Sequence, residues 1–382
     1  MRIECQTREL FEAVQLVVGV VSNNATRPIL HSVLVKAADD GLSIQGTDLE
    51  VGLSVRVDEV DIQEAGEVAI PAARLHAILR ELQGESVVLE TTSDGQVSVA
   101  AESRGAGVGA SRFKVPTESA EEFPELDFQP PSPEIRVSRA LFLESLKMVS
   151  IAAAKDATRF QMHSVLLDCR DGQVRLVSTD GKRMAIGQRE LTSNGSSAES
   201  QYIVPLKGVD LLSKILNVEE SEEIELHLDQ SVVTYSSDRV SLSCRLVEGR
   251  FPPYERAIPD RWEFVIDLPS DTLQIGLRQA ALMTTKETNS VQFSFDGERL
   301  TLSTQSSNVG ESRIELDVER PDDKSDAFKI AFNPQYMLDL IRAVDAPALR
   351  GHFKDGKTAG MFSVKEDETA YRHIVMPLVT ND

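Results

Sequence analysis

Apolar residues recur at helical spacing in six separate stretches of the chain. In PAARLHAILREL (71–82), Leu75, Ile78, Leu79 and Leu82 fall at i, i+3, i+4 and i+7, which gathers them on one stripe of a helix. NPQYMLDLIRAV (333–344) repeats that stripe with Met337, Leu340, Ile341 and Val344. PLKGVDLLSKIL (205–216) repeats most of it with Val209, Leu212 and Leu216. Three further stripes include Leu10 and Val14, Phe142 and Leu146, and Leu273 and Leu277; they predict helices over roughly 7–21, 138–153 and 270–284. Between the helices the period drops to two. DDGLSIQGTDLEVGLSVRV (39–57), RDGQVRLVSTDGKRMAIGQ (170–188) and FDGERLTLSTQSSNVGESRIELDV (295–318) alternate apolar and polar residues, as half-buried strands do. In each, an Asp-Gly pair ending at Gly41, Gly172 or Gly297 supplies a hairpin turn.

These stretches are copies of one unit. ATRPILHSVL (25–34) and ATRFQMHSVL (157–166) share seven of ten residues at an offset of 132. Thr47, Thr179 and Thr304 each follow the turn glycine by six or seven residues. The period of about 125–132 residues is that of a whole domain, not of a solenoid repeat of about 20–50 residues. Each copy carries two helices among many strands, so the class is α+β. Pro-rich joints at EFPELDFQPPSPE (122–134) and RFPPYERAIPDR (250–261) set boundaries near 131 and 261. The expected domains are 1–131, 132–261 and 262–382.

Composition narrows the class. The net charge of −21 argues against a surface that coats nucleic acid, but not against a local basic lining, because steering depends on how charge is distributed. No run of 18 apolar residues occurs, so no membrane span is expected. The N-terminus MRIECQTREL has no apolar core of a secretory signal. Cys5, Cys169 and Cys244 are scattered, with no CxxC pair, so neither a disulfide framework nor a zinc knuckle is indicated and a reducing cytoplasm fits.

The face opposite the apolar stripes carries a second pattern. In one set of helices the equivalent outer positions are Arg80, Lys214 and Arg342; in the other they are Gln15, Lys147 and Arg278. Five of six are basic in a chain with 61 acids and 40 bases. Lysine and arginine suit exposed helix positions anywhere, but their recurrence in register favours one shared basic surface.

Several words of the sequence resemble the bacterial DNA polymerase III beta subunit, the sliding clamp family: TRPIL (26–30), GTDLE (46–50), STDGKRMA (178–185), LVEGRFPPYERAIP (246–259) and IVMPL (374–378). They run through essentially the whole chain. The resemblance implies three tandem clamp domains, each with two helices packed on antiparallel sheets. It also implies a head-to-tail homodimer closed as a pseudo-sixfold ring, with the helices lining the hole. It implies a non-catalytic processivity factor that encircles duplex DNA without reading sequence and needs no cofactor or metal. Its partners would be the replicative polymerase alpha subunit, a separate ATP-driven clamp loader and other proteins carrying a clamp-binding motif, and it would work at the nucleoid. Gln15 and the five cations would face DNA. Arg112 and Phe113 on one side and Leu282 and Met283 on the other would form the dimer contact.

The resemblance further implies a pocket for partner peptides on the central domain. Its positions here are Arg159, Met162, Thr179, Gly181, Lys182, Arg183, Met184, Pro252 and Ala257. The C-terminal wall would be Ile374, Val375, Met376, Pro377 and Leu378. Methionines adapt to varied ligands, and apolar walls with few polar groups anchor a peptide. Taken residue by residue without the family, Met162 and Met184 read as core packing. Lys182 stands where the family often has His, Ala257 is smaller than the expected Val, and Val379 replaces a frequent Arg. These departures bear on peptide preference.

Other signals point elsewhere. GHFKDGKT (351–358), from Gly351 to Thr358, matches a phosphate-loop pattern that would make a P-loop nucleotide hydrolase. Such a loop needs a helix after it, and the residues that follow read as strand, so a hairpin is expected. RGAGVGAS (104–111), around Gly107, reads as a loop between strands. The six histidines do not cluster, and His31 with His163, like Asp48 with Asp180, occupy equivalent repeat positions. Structural roles are expected for all four, with turn bonding for the aspartates.

Overall fold

A computed structural model describes residues 1–22, 25–102, 109–129, 134–156, 158, 161–192, 199–285, 289–306, 309–321 and 326–378. Six helices are described: α1 (Thr7–Val18), α2 (Ala72–Glu81), α3 (Arg139–Ser150), α4 (Leu206–Val218), α5 (Ser270–Ala281) and α6 (Pro334–Val344). All six stand where the apolar stripes put them, and the stripe residues are buried apart from the terminal Leu82 and Val344. α1, α3 and α5 each end about three residues early. Their last turn tightens to i→i−3 bonds, as in Val20 N to Val17 O, Ala152 N to Val149 O and Met283 N to Ala280 O. α6 starts at Pro334 with Asn333 Oδ1 accepting from Gln335 N at 2.9 Å, a cap that fixes its first turn.

The three Asp-Gly turns are hairpins, and Gly41, Gly172 and Gly297 all have positive φ (125°, 72° and 55°), a region open to glycine without a Cβ penalty. They join Ser32–Ala38 to Gly41–Thr47, Ser164–Arg170 to Gln173–Thr179, and Val291–Asp296 to Arg299–Ser306.

The chain divides into two compact units that do not coincide with the three repeats: 1–136 with 210–246, and 137–209 with 247–382. The reason is sheet pairing. In the first unit, Val51–Val57 of the first repeat pairs antiparallel with Val240–Arg245 of the second, fusing two halves into one eight-stranded sheet. In the second unit, Arg183–Glu190 of the second repeat pairs with Tyr371–Val375 of the third in the same way, giving another eight-stranded sheet. Each repeat therefore shares a sheet with the next.

Two sheets are left incomplete. The first unit holds a five-stranded sheet that ends at Ala110–Pro116, and the second holds a four-stranded sheet that ends at Gly310–Asp317. α1 and α2 pack together in the first unit, with α1 also on Gly41–Thr47 and Val51–Val57. α3 packs on Gln173–Thr179 and Arg183–Glu190, and α5 on Arg299–Ser306, Gly310–Asp317 and α6. The core of the second unit is rich in phenylalanine: Phe353 and Phe362 meet edge-on at 5.6 Å, as do Phe293 and Phe332 at 5.4 Å. No described helix is long and apolar enough to cross a membrane.

Candidate nucleic-acid interface and partner pocket

Burying the apolar stripe of each helix turns the opposite face outward. Gln15, Arg80, Lys147, Lys214, Arg278 and Arg342 are all exposed. Arg80 Nε lies 3.0 Å from Glu81 Oε1, and Arg342 Nη1 3.7 Å from Asp339 Oδ1. The Arg80–Glu81 pair is exposed and contributes about 0–1 kcal/mol, so it leaves Arg80 available to an anion, whereas Asp339 is half-buried and also bonds Arg183. In the second unit a cleft of about 420 Å³ brings Lys147 and Lys155, at and after α3, together with Arg342 of α6. Cations of two repeats thus meet at one concavity.

The central-repeat residues sort into a floor and a rim. Met184, Ile374 and Val375 are buried, with Met184 and Ile374 in a core cluster that includes Phe251, Tyr254 and Met361. Gly181, Lys182, Ala257, Met376 and Leu378 are exposed, and Met162, Pro252 and Pro377 half-buried. One hydrogen-bonded turn organises the rim. Thr179 Oγ1 donates to Arg183 O (2.7 Å) and accepts from Gly181 N (3.0 Å); Asp180 Oδ1 accepts from Lys182 N and Arg183 N (2.9 Å each). The C-terminal strand is locked beside it: Ile374 faces Met184, Val375 faces Arg183, and Met376 N donates to Lys182 O at 2.9 Å. Arg159, Val379 and Gly107 lie outside the described residues.

Arg183 has a different position from its pocket neighbours. Its side chain is 5% exposed, bonded to Asp180 Oδ2 (3.2 Å) and Asp339 Oδ2 (2.9 Å), and lies 4.4 Å over the Tyr336 ring. It ties the rim turn to α6 and presents no guanidinium to a ligand. No local pattern announces this contact, because Asp339 is 156 residues away. Behind the rim, His373 is fully buried, with Nδ1 3.0 Å from Tyr371 Oη, and Tyr371 Oη donates to Met148 O at 3.1 Å. Burial, with the Arg183 charge as a smaller cause, pushes the His373 pKa down to about 3.

The proposed dimer residues sit at the two incomplete sheets. Arg112 and Phe113 lie on the edge strand Ala110–Pro116. Phe113 lines a cleft of about 500 Å³ with Ile78 of α2 and Val115. Leu282 caps α5 and is 72% exposed, and Met283 Sδ stands 3.7 Å from where a side chain on Gly310 would begin.

Gly351–Thr358 is not a phosphate loop. It spans the end of Ala348–Phe353 and the turn into Gly360–Val364, and Asp355 Oδ1 takes the Lys357 and Thr358 N–H groups at 2.8 and 2.6 Å. The backbone donors that would cradle phosphate are already used, and a strand follows in place of a helix. The histidines and aspartates singled out as repeat equivalents bond locally. His31 Nε2 is 3.0 Å from Ala25 O, His163 Nδ1 is 2.6 Å from Ala154 O, and Asp48 Oδ1 accepts from Glu50 N and Val51 N, as Asp180 does in its own turn. Cys5, Cys169 and Cys244 are buried and in no disulfide, and burial pushes the first two up to about 12.

Family models match the whole succession: DNA polymerase III beta subunit, N-terminal domain at residues 1–127, central domain at 136–253 and C-terminal domain at 255–379. Curated proteins named beta sliding clamp match over full length. That of Pseudomonas aeruginosa is 27% identical over 379 residues, covering 99% of this chain and all of that protein. That of Chlamydia pneumoniae is 27% identical over 386 residues, covering both chains completely. The crystal structure of the DNA polymerase III subunit beta from Pseudomonas aeruginosa superposes with a TM-score of 0.89 at 26% identity, covering both chains fully. The Thermotoga maritima beta subunit shares the fold at a TM-score of 0.90 and 23% identity, again over both chains. Three family models in order across nearly every residue, on a scaffold of three repeated α+β domains, place this chain in the DNA polymerase III beta subunit family, the non-catalytic sliding clamps that give the polymerase its processivity.

Proposed function

We propose that two copies of this chain close head to tail around duplex DNA, with each copy supplying three domains that meet near residues 131 and 261. The observation that carries this reading is the pair of unfinished sheets. Each repeat offers one edge to the next: Val51–Val57 to Val240–Arg245, and Arg183–Glu190 to Tyr371–Val375. The equivalent edges left open are Gly310–Asp317 of the third repeat and Ala110–Pro116 of the first. A second copy completes the series at both ends. Open edges are costly to leave unpaired, and these two are complementary: Arg112 and Lys114 on one, Glu311, Glu315 and Asp317 with Arg313 on the other. Leu282 and Met283 then cover Phe113 and its cleft. Heterologous contacts of this kind give a closed ring when the rotation closes.

Within the ring, Gln15, Arg80, Lys147, Lys214, Arg278 and Arg342 face the phosphates. Topology supplies retention, so a few solvent-exposed cations suffice, and contacts to backbone alone carry no sequence information. The acidic remainder of the surface disfavours DNA outside the ring. The rim formed by Met162, Gly181, Lys182, Ala257, Met376 and Leu378 takes an extended peptide from the polymerase, the clamp loader and other partners, with Met184 and Ile374 as the floor beneath. The protein does this in the cytoplasm, at the nucleoid, where its DNA is. Mass measured by light scattering tests the assembly: the reading expects about 84 kDa, twice 42.0 kDa, and a stable 42 kDa species at micromolar concentration would contradict it.

A further inference from the structure

The turn that organises the central rim is built a second time, in the first repeat. Thr47 Oγ1 donates to Val51 O (2.8 Å) and accepts from Leu49 N (2.9 Å), while Asp48 Oδ1 accepts from Glu50 N and Val51 N (3.0 and 2.7 Å). The neighbouring strand is locked as before: Ser243 faces Gly52, Cys244 faces Val51, and Arg245 N donates to Glu50 O at 2.8 Å. Register therefore equates Gly52 with Met184, Ser243 with Ile374, Arg245 with Met376 and Leu49 with Gly181.

The substitutions change what the place can hold. Met184 fills the centre of the second-repeat surface from below. Gly52 contributes no side chain there; Leu126 and Phe128 approach the bare backbone instead, and beside them a cleft of about 600 Å³ opens, lined by Leu49, Leu126, Pro124, Ser243 and Thr234 with Glu50, Glu125, Asp127 and Arg245 around it. A side chain on Gly52 would begin 3.4 Å from Leu126 Cδ2, an ordinary approach, so the glycine is not forced by crowding or by φ. Two features mark the cleft as more than a gap. Thr234 is 2% exposed and its Oγ1 has no hydrogen-bond partner, a group that burial normally pairs. Leu49 holds φ at 77°, where the equivalent residue is Gly181 at 85°, and is still 49% exposed. A non-glycine residue in left-handed backbone is strained and tends to be kept for a function, and here it presents an apolar side chain to the cleft mouth.

We propose that this cleft is a second docking site, for an extended peptide of a partner that carries a basic side chain next to apolar ones. The apolar residues meet Leu49, Leu126 and Pro124. The cation meets three carboxylates against one arginine, and a donor reaching the floor satisfies Thr234 Oγ1. The shape of the ligand, an extended peptide, rests on the peptide reading of the second repeat; its charge and the opening at Gly52 do not. The two sites would let one clamp hold two partners at once.

The probe is a fluorescein-labelled Ala-Leu-Lys-Leu-Lys-Ala peptide, titrated with the full-length protein by anisotropy, beside a control in which both lysines are glutamates. Saturable binding below about 1 mM is expected for the basic peptide, with the acidic control about tenfold weaker. Gly52→Met, whose side chain would push Leu126 and Phe128 into the cleft, should weaken binding about tenfold, and Met376→Asp on the second-repeat rim should leave it unchanged. Thr234→Val should weaken peptide binding severalfold while raising the melting temperature of the free protein, and it carries the test should Gly52→Met not fold. No saturable binding, equal binding to Gly52→Met or to Thr234→Val, or loss of binding in Met376→Asp would each overturn the assignment; the last would place the peptide on the second repeat instead.

Discussion

Leu282→Asp isolates the contact on which the proposed ring closure depends. Leu282 caps α5 with 72% of its surface open in the single chain. Full burial of a leucine is worth about 1.5–3 kcal/mol, so covering what is open here contributes roughly 1–2 kcal/mol at each junction. Aspartate forfeits that and adds the cost of desolvating a polar group, about 1–3 kcal/mol on mutational scales. The loss is then about 3 kcal/mol per junction, and the proposed ring has two junctions. At 1.4 kcal/mol per tenfold, the dimer constant should weaken by about four powers of ten. Sedimentation velocity over a dilution series reads this directly, with Leu282→Ala falling between the two. The single chain should keep its stability to within about 0.5 kcal/mol, because the side chain is exposed there. A Leu282→Asp protein whose dimer constant stays within a factor of ten of wild type would refute the proposed junction.

Reversing the charge of Arg80, Lys147, Lys214, Arg278 and Arg342 together should shorten the residence of the protein on circular DNA without altering its mass, and unchanged residence would contradict their placement on the DNA side. Asp339→Ala strips Arg183 of one of its two carboxylates while the guanidinium stays 5% exposed; breaking a buried pair costs about 3–5 kcal/mol, and a loss under about 1 kcal/mol in chemical denaturation would show that Arg183 is not clamped as described. His373 titrates at about 3 when folded because burial disfavours its cation, and near 6.5 when unfolded. Below about pH 6.5 only the unfolded state gains the proton, so stability should fall as pH drops through the window from 6.5 to about 3, by at most roughly 1.4 kcal/mol per pH unit. His373→Asn should flatten that slope in urea titrations at stepped pH, and an unchanged slope would assign the acid sensitivity elsewhere.

The helices and hairpins were legible because their signals are local. A stripe such as Leu75, Ile78 and Leu79, or a glycine after Asp at 41, 172 and 297, needs no distant residue to be read. The repeat of ATR…HSVL made the three-domain plan visible, and the resemblance supplied the family. What sequence reading missed is carried by contacts between residues far apart. Arg183 is expected at the partner pocket, yet Asp339 and Tyr336 bury its guanidinium. Met184 is placed at the pocket by the resemblance and in the core by its own residue type, and it belongs to the core cluster below the rim. The unfinished edges at Ala110–Pro116 and Gly310–Asp317 follow from strand pairing, which alternation alone cannot assign. The first-repeat cleft could have been suspected from the aligned turns, since Leu49 stands where the second copy has Gly181 and Gly52 where it has Met184.

The closed ring we propose would be held on DNA by enclosure, a topological property. Retention on a nicked circular duplex, followed by linearisation at a single restriction site, tests it most directly, with a loader complex used to place the protein on the circle. Long-lived retention on the circle and rapid loss from free ends after cutting are expected, at an ionic strength that abolishes ordinary phosphate binding. Equal retention before and after cutting, or salt-sensitive binding indifferent to DNA ends, would contradict it.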